Sequence, residues 1–173
     1  IMVLYFYLRI IITKESCGKQ KYKNEAIGCL VKGLTYYQMI PALKEFEKKT
    51  KNMFRENILN EIAASYQKGY LVLIVTASPE FAIIGCMSEF PVTVIGTQFR
   101  KVDGVYSGEI VGKNCYGVEK VRRIKSLLKS NKFELRVTQA WSDHLSDFPM
   151  VELADERFWL VDQDLKNTIS NVC

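Results

Sequence analysis

Four polar residues with chemically useful side chains, Thr76, Lys120, Asp143 and Asp147, stand at wide spacing along the chain. A hydroxyl can donate a hydrogen bond to a phosphoryl oxygen, and an ammonium group neutralises phosphoryl charge as a compact point charge. Carboxylates supply the hard oxygen ligands that suit Mg²⁺. Residues of these types therefore suit phosphoryl transfer, provided that the surrounding elements bring them to one place.

Thr76 follows a continuous apolar run over 71–75, which predicts a strand buried on both faces of a parallel sheet. After it, Ser78 can cap a new helix, Pro79 suits the first helical position, and Glu80 favours the positive helix end. In α/β sheets this edge binds ligands, and the free N–H groups of a helix N-terminus favour anions. We predict an anion-binding turn here. An ordinary strand-to-helix turn is the alternative.

Lys120 precedes apolar residues that recur at helical spacing: Val121, Ile124, Leu127 and Leu128. This places Lys120 in or near the first turn of a helix, where a cation opposes the helix macrodipole. Local rules are broken more often at functional sites, which favours a role in binding an anion. The alternative is one solvated cation among several, because Arg122, Arg123 and Lys125 follow at once.

Asp143 and Asp147 follow a predicted strand over residues 133–140. Two carboxylates four residues apart at a strand end can face the same pocket and hold Mg²⁺, which keeps several waters and shares its sites with phosphate. The competing interpretation is that Asp143 or Ser146 caps the helix that carries Met150.

Three segments, 75–79 (VTASP), 117–120 (GVEK) and 141–150 (WSDHLSDFPM), together resemble the haloacid dehalogenase (HAD) superfamily, and within it the branch of phosphoserine phosphatase and its relatives. The resemblance covers roughly residues 70–165. It implies an α/β fold, with a Rossmann-like core of parallel sheet flanked by helices and a small helical cap. It also implies a Mg²⁺-dependent phosphatase that works through an aspartyl-phosphate on a small phosphorylated metabolite, without a nucleic-acid partner.

The resemblance implies a role for each candidate residue. Thr76 and Ala77 would bind the phosphoryl group, and Lys120 would steady that group and the nucleophile, so that Thr76 and Lys120 are the predicted catalytic residues. Asp143 would be a Mg²⁺ ligand, and Asp147 would support the metal site directly or through water.

The family's nucleophile belongs to an Asp-x-Asp-x-Thr motif ahead of these segments, and residues 1–75 contain no Asp. The chain also begins at Ile1 instead of Met, so we expect residues upstream, including the first core strand. The complete protein is therefore predicted to be active and the chain as given inactive. The alternative is a truncated or non-catalytic relative that binds an anion or a partner.

The domain prediction places a helical cap at residues 1–68 and the core at 69–173, with a β-hairpin near 98–111 signalled by Asp103-Gly104. Short core strands are predicted at 92–95 and 158–161. Three apolar helical faces are expected before residue 68: Ala26 to Leu34, Tyr36 to Phe46 and Phe54 to Tyr66. Pro41 should kink or divide the second of these helices.

Composition agrees with an ordinary soluble enzyme. The net charge of +5 is consistent with attraction to phosphorylated anions, although solvated helix faces explain it better. Five cysteines without metal-binding spacing predict free thiols and a cytoplasmic location. The apolar stretch at residues 1–12 is shorter than the roughly 20 residues of a membrane span. We predict a buried cap helix there, and membrane association is the less favoured alternative.

Overall fold

The computed structural model of the protein describes residues 16–130 and 136–160. The chain divides into two compact units, Ile1–Cys115 and Tyr116–Cys173. In the first unit the elements are α1 (Ser16–Val31), α2 (Tyr36–Lys51), α3 (Glu56–Gln67), β1 (Leu73–Pro79), α4 (Glu80–Cys86), β2 (Thr93–Thr97), β3 (Phe99–Val102) and β4 (Val105–Ile110). In the second they are α5 (Val118–Ser130), β5 (Gln139–Ser142), a 3-10 helix (Leu145–Asp147), α6 (Phe148–Val151) and β6 (Glu156–Trp159).

The strands confirm the α/β class. Strands β1 and β2 are parallel, as are β5 and β6, and each pair is joined through a helix. Strands β3 and β4 form the predicted antiparallel hairpin, with Asp103 at φ 51° in its turn. An aspartate tolerates this left-handed backbone better than most residues, which is why Asp-Gly signals such a turn.

The three predicted helices before β1 are confirmed as α1, α2 and α3. Helix α2 begins with a capping box, in which the Thr35 hydroxyl accepts from the Gln38 N–H and the Gln38 side chain accepts from the Thr35 N–H. Pro41 lies inside α2, and the helix continues through it to Lys51. The expectation that Pro41 could divide this helix is therefore wrong.

The core of the first unit joins the early helices to the hairpin. Its buried members are Val31, Met39, Phe99 and Tyr106. Phe81 of α4 packs its ring against Phe99 and Tyr106, with ring centroids 5.8 Å and 5.2 Å apart. Burying aromatic rings of this size contributes several kcal/mol, on the order of 2–3 kcal/mol each. Helices α1 and α2 are thus held to the hairpin by one shared apolar cluster.

A close backbone approach also fixes α1 against β4. A Cβ atom added to Gly28 would lie 2.1 Å from the carbonyl oxygen of Gly108, and one added to Gly108 would lie 2.8 Å from the carbonyl oxygen of Gly28. Because side chains cannot occupy that space, only glycine lets the helix and the strand meet backbone to backbone.

Two predicted boundaries need correction. Ser78 does not cap a helix, because β1 continues to Pro79 and α4 starts at Glu80 without a side-chain cap. The strand predicted over residues 133–140 is β5, which starts only at Gln139 and ends at Ser142. Residues 131–135 and 161–173 lie outside the described residues, as does the apolar stretch at residues 1–12. Among the helices that the structure describes, none has the length and apolar character needed to cross a bilayer.

Candidate active site

The β1–β2 register breaks at Thr76. Val75 pairs with Ile95 and Pro79 pairs with Thr97, so the three residues between them on β1 face a single residue on β2. A bulge of this kind bends its strand and re-aims side chains, and bulges are common beside active sites. Thr76 and Ala77 therefore lie on a stretch of β1 that leaves the regular ladder.

The Thr76 hydroxyl is held by its own turn. Its Oγ1 accepts a hydrogen bond from the Ser78 N–H at 3.1 Å, and the side chain is half-buried. Because Oγ1 acts as an acceptor in this bond, its hydroxyl proton can still be donated to another group. Such a hydroxyl is suited to bind a phosphoryl oxygen.

Hydrogen bonds from residues at the end of β2 hold the segment that follows Thr76. The two carboxylate oxygens of Glu80 accept from the Gly96 N–H and from Nε2 of Gln98, both at 3.0 Å. Between these residues, the Thr97 hydroxyl lies 3.0 Å from the carbonyl oxygen of Ala77. Gly96 and Thr97 of β2, together with Gln98 just after it, thus fix the turn from Ala77 to Glu80.

In the second unit, Lys120 and Asp147 form a buried ion pair. Nζ of Lys120 lies 2.7 Å from Oδ1 of Asp147, and the two side chains are 7% and 13% exposed. The interpretation of Lys120 as a solvated cation is therefore wrong. Lys120 does occupy the first turn of α5, as predicted. A buried ammonium in this position has a high desolvation cost, which Asp147 offsets.

Hydroxyl groups hold the Asp147 carboxylate. Ser142, at the end of β5, donates to Oδ2 at 3.0 Å, and Ser146 approaches Oδ1 at 3.4 Å. The His144 ring accepts from the Ser146 N–H at 3.1 Å and caps the 3-10 helix. Neither Asp143 nor Ser146 caps α6, so the competing capping interpretation is wrong.

The two predicted metal ligands differ in environment. Both oxygens of Asp147 are engaged by Lys120, Ser142 and Ser146, whereas Asp143 is exposed just after β5. Within residues 16–130 and 136–160, three or more His, Cys, Asp or Glu side chains nowhere cluster as a metal cage. This donor set fits Mg²⁺, which needs only one or two protein carboxylates and keeps several waters.

Glu119, next to Lys120, is a buried carboxylate for which no role was predicted. Arg122 donates two hydrogen bonds to it, at 2.7 Å and 2.6 Å, and Arg123 donates one at 3.0 Å. The hydrogen bonds from Arg122 lower the pKa of Glu119 from 4.5 to about 2. Burial opposes this shift, and the hydrogen bond from Arg123 adds to it. The cluster braces the first turn of α5, where Lys120 is placed.

We expect the Glu119→Gln variant to lose a stabilisation that depends on pH. The folded pKa is below the unfolded one, so the stabilisation is complete above pH 4.5 and disappears as the pH falls towards 2. We expect the variant to lose about 2 kcal/mol of unfolding free energy at pH 7, after a discount for the solvent exposure of Arg122. Urea unfolding at pH 7, 4 and 3 measures it, with Glu109→Gln as the control in an exposed ion pair. If the difference in unfolding free energy between variant and wild type stays constant from pH 7 to pH 3, the lowered pKa of Glu119 is contradicted.

The predicted site residues thus fall into two groups. Lys120 and Asp147 meet, with Asp143 four residues away, in the second unit, and Thr76 and Ala77 lie in the bulge of the first unit. Sequence reasoning missed Thr97, Ser142 and Glu119 as supporting residues. The acidic residue in the first turn of a helix was an available signal for Glu119.

The family model for haloacid dehalogenase-like hydrolases matches residues 23–152. The chain belongs to this family, which confirms the resemblance and the Rossmann-like α/β core.

Relatives agree with this assignment. Protein CicA of Caulobacter vibrioides is 29% identical over 143 residues, which cover 81% of this chain and 63% of that protein. Phosphoserine phosphatase SerB1 of Mycobacterium tuberculosis is 30% identical over 86 residues, which cover 49% of this chain and 28% of that protein. The chain therefore spans less than two thirds of these relatives. A solved structure of a protein of unknown function from Bordetella pertussis Tohama I shares the fold, with a TM-score of 0.78 at 19% identity over 98% of this chain and 76% of that one.

Proposed function

We propose that the complete protein to which this chain belongs is a Mg²⁺-dependent phosphatase. It would hydrolyse the phosphate ester of a small metabolite through an aspartyl-phosphate, with the nucleophilic aspartate on a segment outside this sequence. Membership of a hydrolase family and the likeness to SerB1, a phosphoserine phosphatase by name, support this class of reaction.

The observation that carries the proposal is the buried Lys120–Asp147 pair at 2.7 Å. An ammonium buried in the first turn of a helix is unfavourable for folding, because the helix dipole and desolvation both oppose it. A buried cation that is unfavourable for folding is expected where the function requires a fixed positive charge. In phosphoryl transfer, a preorganised cation stabilises the negative charge on the transferring group.

Each of the other residues would contribute to binding the phosphate ester through a particular group. The Thr76 hydroxyl, which already accepts from the Ser78 N–H, would donate its proton to a phosphoryl oxygen. Asp147 would hold the Lys120 ammonium in place, and Ser142 would hold Asp147. Ala77 would present its backbone N–H to the same anion. These residues bind and orient the ester, and the attacking carboxylate comes from elsewhere in the complete protein.

Asp143 would hold Mg²⁺, with Asp147 in support. When bound, the ion would supply Lewis-acid stabilisation of the phosphoryl charge. The exposed position of Asp143 at the end of β5 agrees with a ligand set completed mostly by water and by the substrate phosphate.

Two further points belong to the proposal. The helices within residues 1–68 would form a cap that encloses the ester and selects it, and residues 69–173 would form the catalytic core. The free thiols of Cys29 and Cys86 support a cytoplasmic location.

The test is hydrolysis of p-nitrophenyl phosphate by the purified complete protein, with Mg²⁺ and with an excess of EDTA. We expect turnover with Mg²⁺ that EDTA abolishes and added Mg²⁺ restores. The absence of aspartate from residues 1–75 favours a second candidate, a non-catalytic relative that binds an anion. Binding of inorganic phosphate without any turnover would establish that candidate and overturn the phosphatase.

A further inference from the structure

We propose that Thr97 is a positioning residue that orients the Thr76 hydroxyl through the Ala77–Ser78 peptide. The inference deepens the proposed function, because it rests on Thr76 as a ligand of the phosphoryl group. Thr97 ends β2, opposite the bulge that contains Thr76.

The Thr97 side chain is enclosed and fully used. The residue is 0% exposed. Its hydroxyl lies 3.0 Å from the carbonyl oxygen of Ala77, accepts from the Cys115 N–H at 3.1 Å, and lies 2.6 Å from Oδ1 of Asn114. A hydroxyl in this environment has no water with which to exchange partners, so its direction is set by these three groups.

Proton counting assigns the direction of each bond. The Thr97 hydroxyl has one proton, whereas the Ala77 carbonyl and Oδ1 of Asn114 are both acceptors. The amide oxygen and nitrogen of asparagine are assigned from the hydrogen-bond network, and turning the Asn114 amide places its NH₂ group against Thr97. Thr97 then accepts from Asn114 and from Cys115 and donates to Ala77, and all three bonds are satisfied.

The hydrogen bond to the Ala77 carbonyl affects Thr76 through one rigid group. The Ala77 carbonyl and the Ser78 N–H belong to the same planar peptide group, so fixing one fixes the plane of the other. That Ser78 N–H is the donor to Oγ1 of Thr76. Thr97 therefore sets the direction from which Thr76 receives a hydrogen bond, and with it the direction in which Thr76 can donate.

A bulged strand makes this support necessary. Thr76, Ala77 and Ser78 have no regular ladder partners on β2, because only Gly96 lies opposite them between the flanking pairs. Without Thr97 the Ala77–Ser78 peptide could rotate, and the Thr76 hydroxyl would lose its fixed orientation. A preorganised donor loses much of its effect on a transition state when it must be reoriented during the reaction.

The experiment compares Thr97→Val with Thr97→Ser in the complete protein. Valine keeps the shape and removes the hydroxyl, whereas serine keeps the hydroxyl. Thr93→Val is the matched control, since Thr93 lies on the same strand with an exposed side chain. We expect Thr97→Val to lower kcat for p-nitrophenyl phosphate at least tenfold with a smaller change in KM. We also expect Thr97→Ser to retain most of the wild-type kcat, and Thr93→Val to match the wild-type kcat.

Two readouts separate positioning from general stability. In a double variant with Thr76→Val, the Thr97→Val change should lower kcat little further, because both remove the same interaction. The exchange rate of the Ser78 amide hydrogen, measured by NMR, should rise about tenfold in Thr97→Val and stay unchanged in Thr97→Ser. If the valine variant does not fold, Thr97→Cys, with its weak S–H donor, takes its place in the same comparison.

The amide measurement needs no catalysis, so the inference is tested even if the wild type hydrolyses no ester. A Ser78 amide that exchanges at the same rate in Thr97→Val as in Thr93→Val would overturn the relay. Equal kcat in these two variants, in an active protein, would overturn the positioning role.

Discussion

Lys120→Met is expected to reduce phosphate-ester hydrolysis by the complete protein by about a thousandfold, because it removes a preorganised cation from the proposed phosphoryl site. The methionine side chain fills a similar space without charge. The same change leaves the Asp147 carboxylate buried without its ion partner, which should cost about 3–5 kcal/mol of stability. Steady-state kinetics on p-nitrophenyl phosphate and urea unfolding, measured on one preparation, give the two effects separately.

A matched substitution and a double variant make this result specific. Lys125→Met changes an exposed lysine on the same helix and should leave kcat and stability close to wild type. Lys120→Met combined with Asp147→Asn should recover much of the lost stability, since no unpaired buried charge remains, and should stay inactive. Turnover near the wild-type level in the folded double variant would show that Lys120 is structural.

Asp143→Asn is expected to lower Mg²⁺-dependent turnover by about a hundredfold or more, since several kcal/mol of charge stabilisation depend on a correctly held ion. An amide oxygen is a weaker ligand than a carboxylate, so the Mg²⁺ concentration that gives half-maximal rate should rise as well. A Mg²⁺ titration of the initial rate, for wild type and variant, measures both quantities.

Two further variants test which aspartate is the ligand. Asp103→Asn makes the same chemical change in the hairpin turn, where φ is 51° and asparagine is equally well tolerated, and should have no effect. Asp147→Asn should mainly lower stability and kcat, because Asp147 is occupied by Lys120 and Ser142. A shifted Mg²⁺ midpoint in Asp147→Asn alone would reverse the ligand assignment.

Local patterns were sufficient to predict most elements of the fold. The apolar run before Thr76, the Asp103-Gly104 turn and the helical spacing after Lys120 correspond to β1, the hairpin and α5. The wrong boundaries have non-local causes. Ser78 has good capping chemistry, yet pairing of Pro79 with Thr97 keeps that segment extended. Pro41 is the sixth residue of α2 and removes one interior hydrogen bond, yet the capping box before it and the ten helical residues after it keep the helix continuous.

The candidate site was predicted as a set of residue types, and its contacts were not. Lys120 stands in a run of cations, and its burial depends on Asp147, which lies far along the chain. Thr97 gives no local signal, since its importance comes from Ala77, Asn114 and Cys115, which reach it only in the folded state. Motif reasoning finds residues that contact the ligand, whereas residues that hold them in place are defined by tertiary structure.

The backbone contact between Gly28 and Gly108 also bears on which substitutions the protein can tolerate. A Cβ atom at either position would lie 2.8 Å or less from a carbonyl oxygen of the other element, so even alanine would force α1 and β4 apart. Gly85 of α4 has nothing within 4 Å of such a Cβ atom. In a library of random variants selected for folding, positions 28 and 108 should therefore retain glycine, whereas position 85 should accept alanine.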